Sequence, residues 1–175
     1  MKLPKDVTAA DFNAALDKFR RIVGAEWVFS SNEDVALYRD AYSPVWDEAE
    51  ELLPSGAVAP ATTEEVQAVV RVANQHRIPL FPISTGKNLG YGGSAPNMTG
   101  TLIVDLKRMN RILEVDEHRH FALVEPGVAL GVPDAAELDA VVADAPGEAR
   151  ALLSTCLGQL FPYFPVISWA HPISQ

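Results

Sequence analysis

A chain of 175 residues can hold one domain or a piece of a larger one, and its 48% hydrophobic and 21% charged residues are those of an ordinary globular protein. A formal net charge of −9 with no basic cluster excludes nucleic acid or an anionic membrane surface as the main partner. The only cysteine, Cys156, excludes a disulfide framework and a thiolate metal cluster, so no metal is expected.

The opening stretch, MKLPKDVTAADF, lacks the apolar core of a signal peptide, which makes the cytoplasm the default location, with the periplasm left open. Thr8 to Val23 then reads as an amphipathic helix. Phe12, Leu16, Phe19 and Val23 recur at helical spacing, Thr8 can cap through Asp11, and Gly24 stops the helix. A shorter helix is expected after Ser31, and Tyr42 to Ser55 is a polar connection whose acidic run, Asp47 to Glu51, reads as a solvated face.

The next signal is supersecondary. Ala57-Val58-Ala59 is a strand, Thr62-Thr63-Glu64-Glu65 a capping box, and Val66, Val69, Val70 and Ala73 one apolar helical stripe that Pro79 ends. Leu80 to Ile83 is a second strand, so a βαβ unit with parallel strands is predicted. Thr101 to Leu106 (TLIVDL) is a third strand, and Ile112–Asp116 with Phe121–Glu125 form an antiparallel hairpin around Glu117-His118-Arg119. A parallel unit followed by antiparallel strands makes the fold class α+β. His76 reads as a helix C-terminal residue, and His118 with His120 as polar residues of a hairpin tip.

Between the second and third strands lies ISTGKNLGYGGSAP, with Gly86, Gly90, Gly92 and Gly93 close together. Glycine tolerates positive φ, so such a loop can turn its backbone N–H groups inward as an anion nest. A Walker A loop would need Gly-Lys-Ser/Thr, but Gly86-Lys87 is followed by Asn88. A dinucleotide fingerprint would need a helix after the glycines, and Ser94-Ala95-Pro96-Asn97 starts one poorly. Spacing alone leaves a phosphate loop and a glycine-rich surface turn equally open.

The segment DAYSPVWDEAEELLPSGAVAPATTEEVQAVVRVANQHRIPLFPISTGKNLGYGGSAP, with VDLKRMNRILEV and FALVEPGV after it, resembles the 4-cresol dehydrogenase (p-cresol methylhydroxylase) and vanillyl-alcohol oxidase family of flavoproteins. The resemblance runs from about Tyr38 to Val128. It implies an FAD-binding domain of that type, with a small parallel βαβ subdomain and the start of an antiparallel one. By position, Ser84, Thr85, Gly86, Lys87, Asn88, Leu89, Gly90, Gly92, Gly93 and Ser94 would hold the diphosphate and adjoining flavin. Pro126 and Gly127, in EPGV, are secondary cofactor candidates. A solvated role for Lys87 stays open.

Within the loop, Tyr91 matches the family tyrosine that holds a para-alkylphenol as its phenolate, which places it as the candidate catalytic residue. Its alternative is an aromatic ring packed against the loop. The resemblance further implies hydride transfer to flavin through a quinone methide, and a cytochrome c subunit as partner in some members. Relatives of the same FAD fold that oxidise 2-hydroxy acids or sugar lactones supply another reading. A non-catalytic FAD-binding module or inactive remnant supplies a third.

Past Val128 the character changes. Residues 129–175 are biased to Ala, Val, Asp, Gly and Pro and then, from 151, carry no Asp, Glu, Lys or Arg. Pro162, Pro165 and Pro172 interrupt the apolar end and argue against a membrane span. The expected division is therefore 1–128 as the amino-terminal part of an FAD-binding domain and 129–175 as a divergent tail, the product of a truncated or frameshifted reading.

Overall fold

The computed structural model describes residues 2–39, 43–88, 92–116, 118–119 and 121–128. The chain divides into two compact units, the first ending at Met109 and the second starting at Asn110.

The first unit is a small sheet covered by helices. Helix α1 spans Ala9–Val23, with the Thr8 hydroxyl accepting the Asp11 N–H and Gly24 (φ 93°) closing it on Arg20. A short 3-10 turn, Ala25–Trp27, leads into strand β1, Val28–Phe29. Helix α2, Asn32–Ala36, carries a reciprocal capping box between Ser31 and Asp34. Strand β2 is Gly56–Val58, one residue earlier than predicted, because Gly56 is already in register with Leu102. Helix α3 is Thr63–His76, followed by strand β3, Leu80–Ile83.

Three local expectations about α3 need correcting. Only half of the Thr62 capping box forms: its hydroxyl accepts the Glu65 N–H, while the Glu65 carboxylate reaches past the cap to the Ala61 N–H at 2.7 Å. The buried stripe is Val69, Val72 and Ala73; Val70 faces solvent at 39% exposure. The helix stops at His76 because Arg77 adopts the left-handed conformation (φ 53°), which lets its N–H return to Ala73 and Asn74 before Pro79 is reached.

Two-residue strands β4 (Lys87–Asn88) and β5 (Gly92–Gly93) pair inside the glycine loop, and β6 spans Leu102–Asp105. The main sheet runs β1-β2-β6-β3, with β1 antiparallel to β2 and both β2 and β3 parallel to β6. The predicted parallel relation of β2 and β3 holds, but β6 lies between them as the central strand. Both of its faces are covered, which is why LIVD reads as an unbroken buried run.

On one face, Val58, Leu102 and Val104 pack with Phe12, Phe19 and Val23 of α1 and with Val69, Val72 and Ala73 of α3. Phe12 and Phe19 are 1% and 0% exposed, and burial of a side chain that size stabilises by roughly 1.5–3 kcal/mol. On the other face, Ala57, Ile83 and Ile103 pack with Tyr38, Phe29 and Phe81. The alternation along each strand thus decides which side chains meet the helices and which meet Tyr38.

The second unit, as far as described, is the predicted hairpin of β7 (Ile112–Asp116) and β8 (Phe121–Val124), with an irregularity between Ile112 and Glu114. A parallel sheet and an antiparallel hairpin together give the expected α+β class. The 129–175 segment, with Cys156 and its interrupting prolines, lies outside the described residues.

Candidate functional site

The glycine loop leaves β3 at its C-terminal end, where parallel strands present loops to ligands. Ser84, Thr85 and Gly86 bend away from the strand, and the two limbs then pair, Lys87 with Gly93 and Asn88 with Gly92. This ladder was not predicted from the spacing of the glycines.

Gly86 is the loop glycine with a described positive φ, 68°, and a Cβ added there would stand 2.8 Å from the Ser94 Cβ. Glycine is required at the neck for its backbone and for its bulk. Ser94 and Thr85 are half-buried around this neck and Ser84 is exposed. Leu89, Gly90 and Tyr91, three predicted site residues, lie outside the described residues. Among the described residues no helix follows between β5 and β6, so no helix N-terminus faces this loop from its own chain direction as a dinucleotide fingerprint would require. Pro126 and Gly127 form a turn after β8 in the second unit.

The loop's own composition suits an anion. From Ile83 to Pro96 the sequence has no Asp or Glu and one cation, Lys87, although the whole chain carries −9. Neutral N–H and O–H donors with a lysine form a donor set that fits a diphosphate.

Sequence reasoning missed a second cluster at the same strand end. The Tyr38 hydroxyl donates to Asp105 Oδ2 at 2.8 Å, and the Lys107 ammonium lies 2.8 Å from that same oxygen. The Lys107 backbone N–H donates to Asp105 Oδ1 at 3.1 Å, and its Nζ sits 4.6 Å from the Phe29 ring centroid. Burial, and then the Asp105 charge beside it, push the Tyr38 hydroxyl well above the ordinary phenol range. The Asp-x-Lys spacing is visible in the sequence, but Tyr38 stands 67 residues away and only the fold brings it in.

The acidic connection also departs from expectation. Glu51 is 5% exposed, not solvated, because Arg39 grips it through Nε and Nη2, both at 2.6 Å, and also holds Asp47 at 2.6 Å. The bidentate fork holds the Glu51 carboxyl below its usual range. With Trp46 stacked 3.7 Å from the guanidinium, Arg39 is committed to structure. In the second unit Arg111 Nε and Nη2 both donate to Glu125 Oε1, at 3.0 and 2.6 Å, while its backbone N–H donates to Oε2, and together they lower that carboxyl too. His76 sits between helices, 2.9 Å from Lys18 Nζ and 3.6 Å from Asp11. His118 is in the hairpin turn, and His120 lies outside the described residues.

Comparison with known proteins matches these features. The family described as FAD binding domain covers residues 54–137, a span that starts before β2 and contains the whole glycine loop. The chain is 45% identical over 129 residues to the 4-cresol dehydrogenase [hydroxylating] flavoprotein subunit of Pseudomonas putida, covering 74% of this chain and 24% of that protein. The crystal structure of p-cresol methylhydroxylase with substrate bound superposes with a TM-score of 0.69 at 45% identity, over 74% of this chain and 25% of that one. The 4-ethylphenol oxidase of Gulosibacter chungangensis, in an isoeugenol complex, gives 0.68 at 43% identity, over 74% of this chain and 24% of that one. The chain therefore spans about a quarter of the length of these relatives.

Proposed function

Because this chain carries an FAD-binding domain of the p-cresol methylhydroxylase type, with FAD as its cofactor, we propose that it serves an FAD-dependent oxidoreductase acting on para-alkylphenols. The observation that carries this reading is the glycine loop at a parallel strand end, whose own residues include no Asp or Glu, in a chain 45% and 43% identical to two proteins of phenol chemistry.

In this reading Ser84, Thr85, Gly86, Lys87, Asn88, Leu89, Gly90, Gly92, Gly93 and Ser94 would hold the diphosphate and neighbouring flavin, with Pro126 and Gly127 as secondary candidates. Bound FAD supplies a two-electron acceptor for the hydride that leaves the benzylic carbon. Tyr91 donates a hydrogen bond to the phenolate oxygen of the substrate and so favours its ionised form. The phenolate pushes electrons to the para carbon as hydride departs, leaving a quinone methide to which water adds. A cytochrome c subunit or oxygen takes the electrons onward. Residues 1–128 are the domain's amino-terminal part and 129–175 a divergent tail.

A second reading, favoured by the coverage of only 24% of the Pseudomonas putida protein, is a flavin-binding module without catalysis. The absorption spectrum of the purified chain tests both. Flavin bands that bleach with a 4-alkylphenol support the enzyme, bands that ignore it support the module, and a colourless preparation overturns both. For the tail, sequencing the coding DNA decides: an alternative frame that restores similarity past Val128 supports a frameshift, and its absence rejects one.

A further inference from the structure

Asp105 is the first carboxylate after Glu65, and it stands beside the proposed diphosphate site. It ends β6 in register with Ile83, the last residue of β3, and the Leu106 N–H donates to the Ile83 carbonyl at 3.0 Å. Ser84, where the glycine loop begins, follows directly. A bare carboxylate at this strand end would repel an anion held by a loop that begins one residue on from its register partner.

The carboxylate is not bare. Asp105 is 4% exposed, and both of its oxygens are engaged by Tyr38 and Lys107. Lys107 is 39% exposed at its side chain, and its ammonium rests against the Phe29 ring. A buried aspartate contributes nothing to the apolar packing of Ile83 and Ile103 around it, so its upkeep by two partners calls for a reason. Charge compensation gives one: Lys107 returns the positive charge that Asp105 subtracts.

We propose that Lys107, with Tyr38, masks the Asp105 carboxylate so that the adjacent glycine loop can accept a diphosphate, which makes Lys107 a determinant of cofactor affinity without touching the cofactor. The proposal rests on the FAD reading above. It differs from a simple attraction by Lys107, because it predicts that the loss of Lys107 is cured by also removing the charge of Asp105.

The test is an FAD titration of the full 175-residue chain, followed by flavin fluorescence, with ADP as a competitor that carries the diphosphate alone. At low salt, Lys107→Met weakens both ligands by about fivefold to tenfold, an effect that salt reduces only in part because Asp105 is buried. Asp105→Asn in the Lys107→Met background restores affinity, and Lys107→Arg stays near wild type. Asp105→Asn alone, which keeps the shape and an acceptor for Tyr38, binds at least as tightly as wild type; this arm is decisive should Lys107→Met not fold. A double variant no better than Lys107→Met, or weaker binding by Asp105→Asn alone, overturns the masking. A wild-type chain that binds neither FAD nor ADP overturns the FAD reading and this inference with it.

Discussion

Strands β6 and β8 carry similar residues, LIVD and FALV, yet Leu102 and Ile103 are 0% exposed while Phe121 and Leu123 are 40% and 52% exposed. Hydrophobicity along the strand does not explain the difference. In the first unit α1 and α3 cover one face of β6, and Tyr38, Phe29 and Phe81 cover the other. The described hairpin is held by its ladder and by the Arg111–Glu125 pair. Burial is decided by what the rest of the chain brings to each face.

The contrast breaks most sharply at aromatic residues. Phe19→Ala, at a fully buried position, should cost about 3–5 kcal/mol in urea unfolding, whereas Phe121→Ala in the hairpin should cost less than about 0.5 kcal/mol. Equal costs would mean that the hairpin is buried in solution.

A smaller effect is expected at the loop neck. Gly86→Ala forces a Cβ into a positive φ and against Ser94, and should destabilise by about 1–2 kcal/mol while weakening FAD binding more than that loss implies. Unchanged FAD affinity would detach the neck from the cofactor.

The smallest effect sharpens what the two units share. Arg39 holds Glu51, and Arg111 holds Glu125, below the ordinary carboxyl value of 4.5. A carboxyl depressed in the folded state stabilises above that value, and its contribution is lost as pH falls through the folded value. Thermal melting should therefore show Arg39→Met less stable than wild type at neutral pH, with the gap closing below about pH 4.5. A gap that stays constant with pH would assign the Arg39 effect to its stacking on Trp46.

Much of the fold was legible because its signals are local. Thr8 with Asp11, Ser31 as a start, and the apolar spacing of α1 located helix starts and faces within a few residues. Pairing was harder. Nothing in Ala57-Val58-Ala59 or Leu80–Ile83 says that a later strand will separate them, because that choice depends on contacts made after the glycine loop. At the site, the glycines were visible, but the Tyr38–Asp105 bond and the Arg39–Glu51 fork were not. Polar residues reveal burial only when their partners are known, and an acidic run looks solvated until one of its members is gripped. The Val70 error has the same origin: a wide apolar stripe gives no sign of which edge the sheet will cover.

The position of β6 bears on the order of events during synthesis. Translation delivers β2, then β3, then β6, yet β6 is the strand that both earlier ones need. Until residue 105 has left the ribosome tunnel, β2 and β3 are two edges separated by a strand-wide gap, with unpaired N–H and C=O groups open to other chains. A nascent chain stalled within the glycine loop would be the form most in need of a chaperone, and the passage of four residues, Leu102 to Asp105, would end that need.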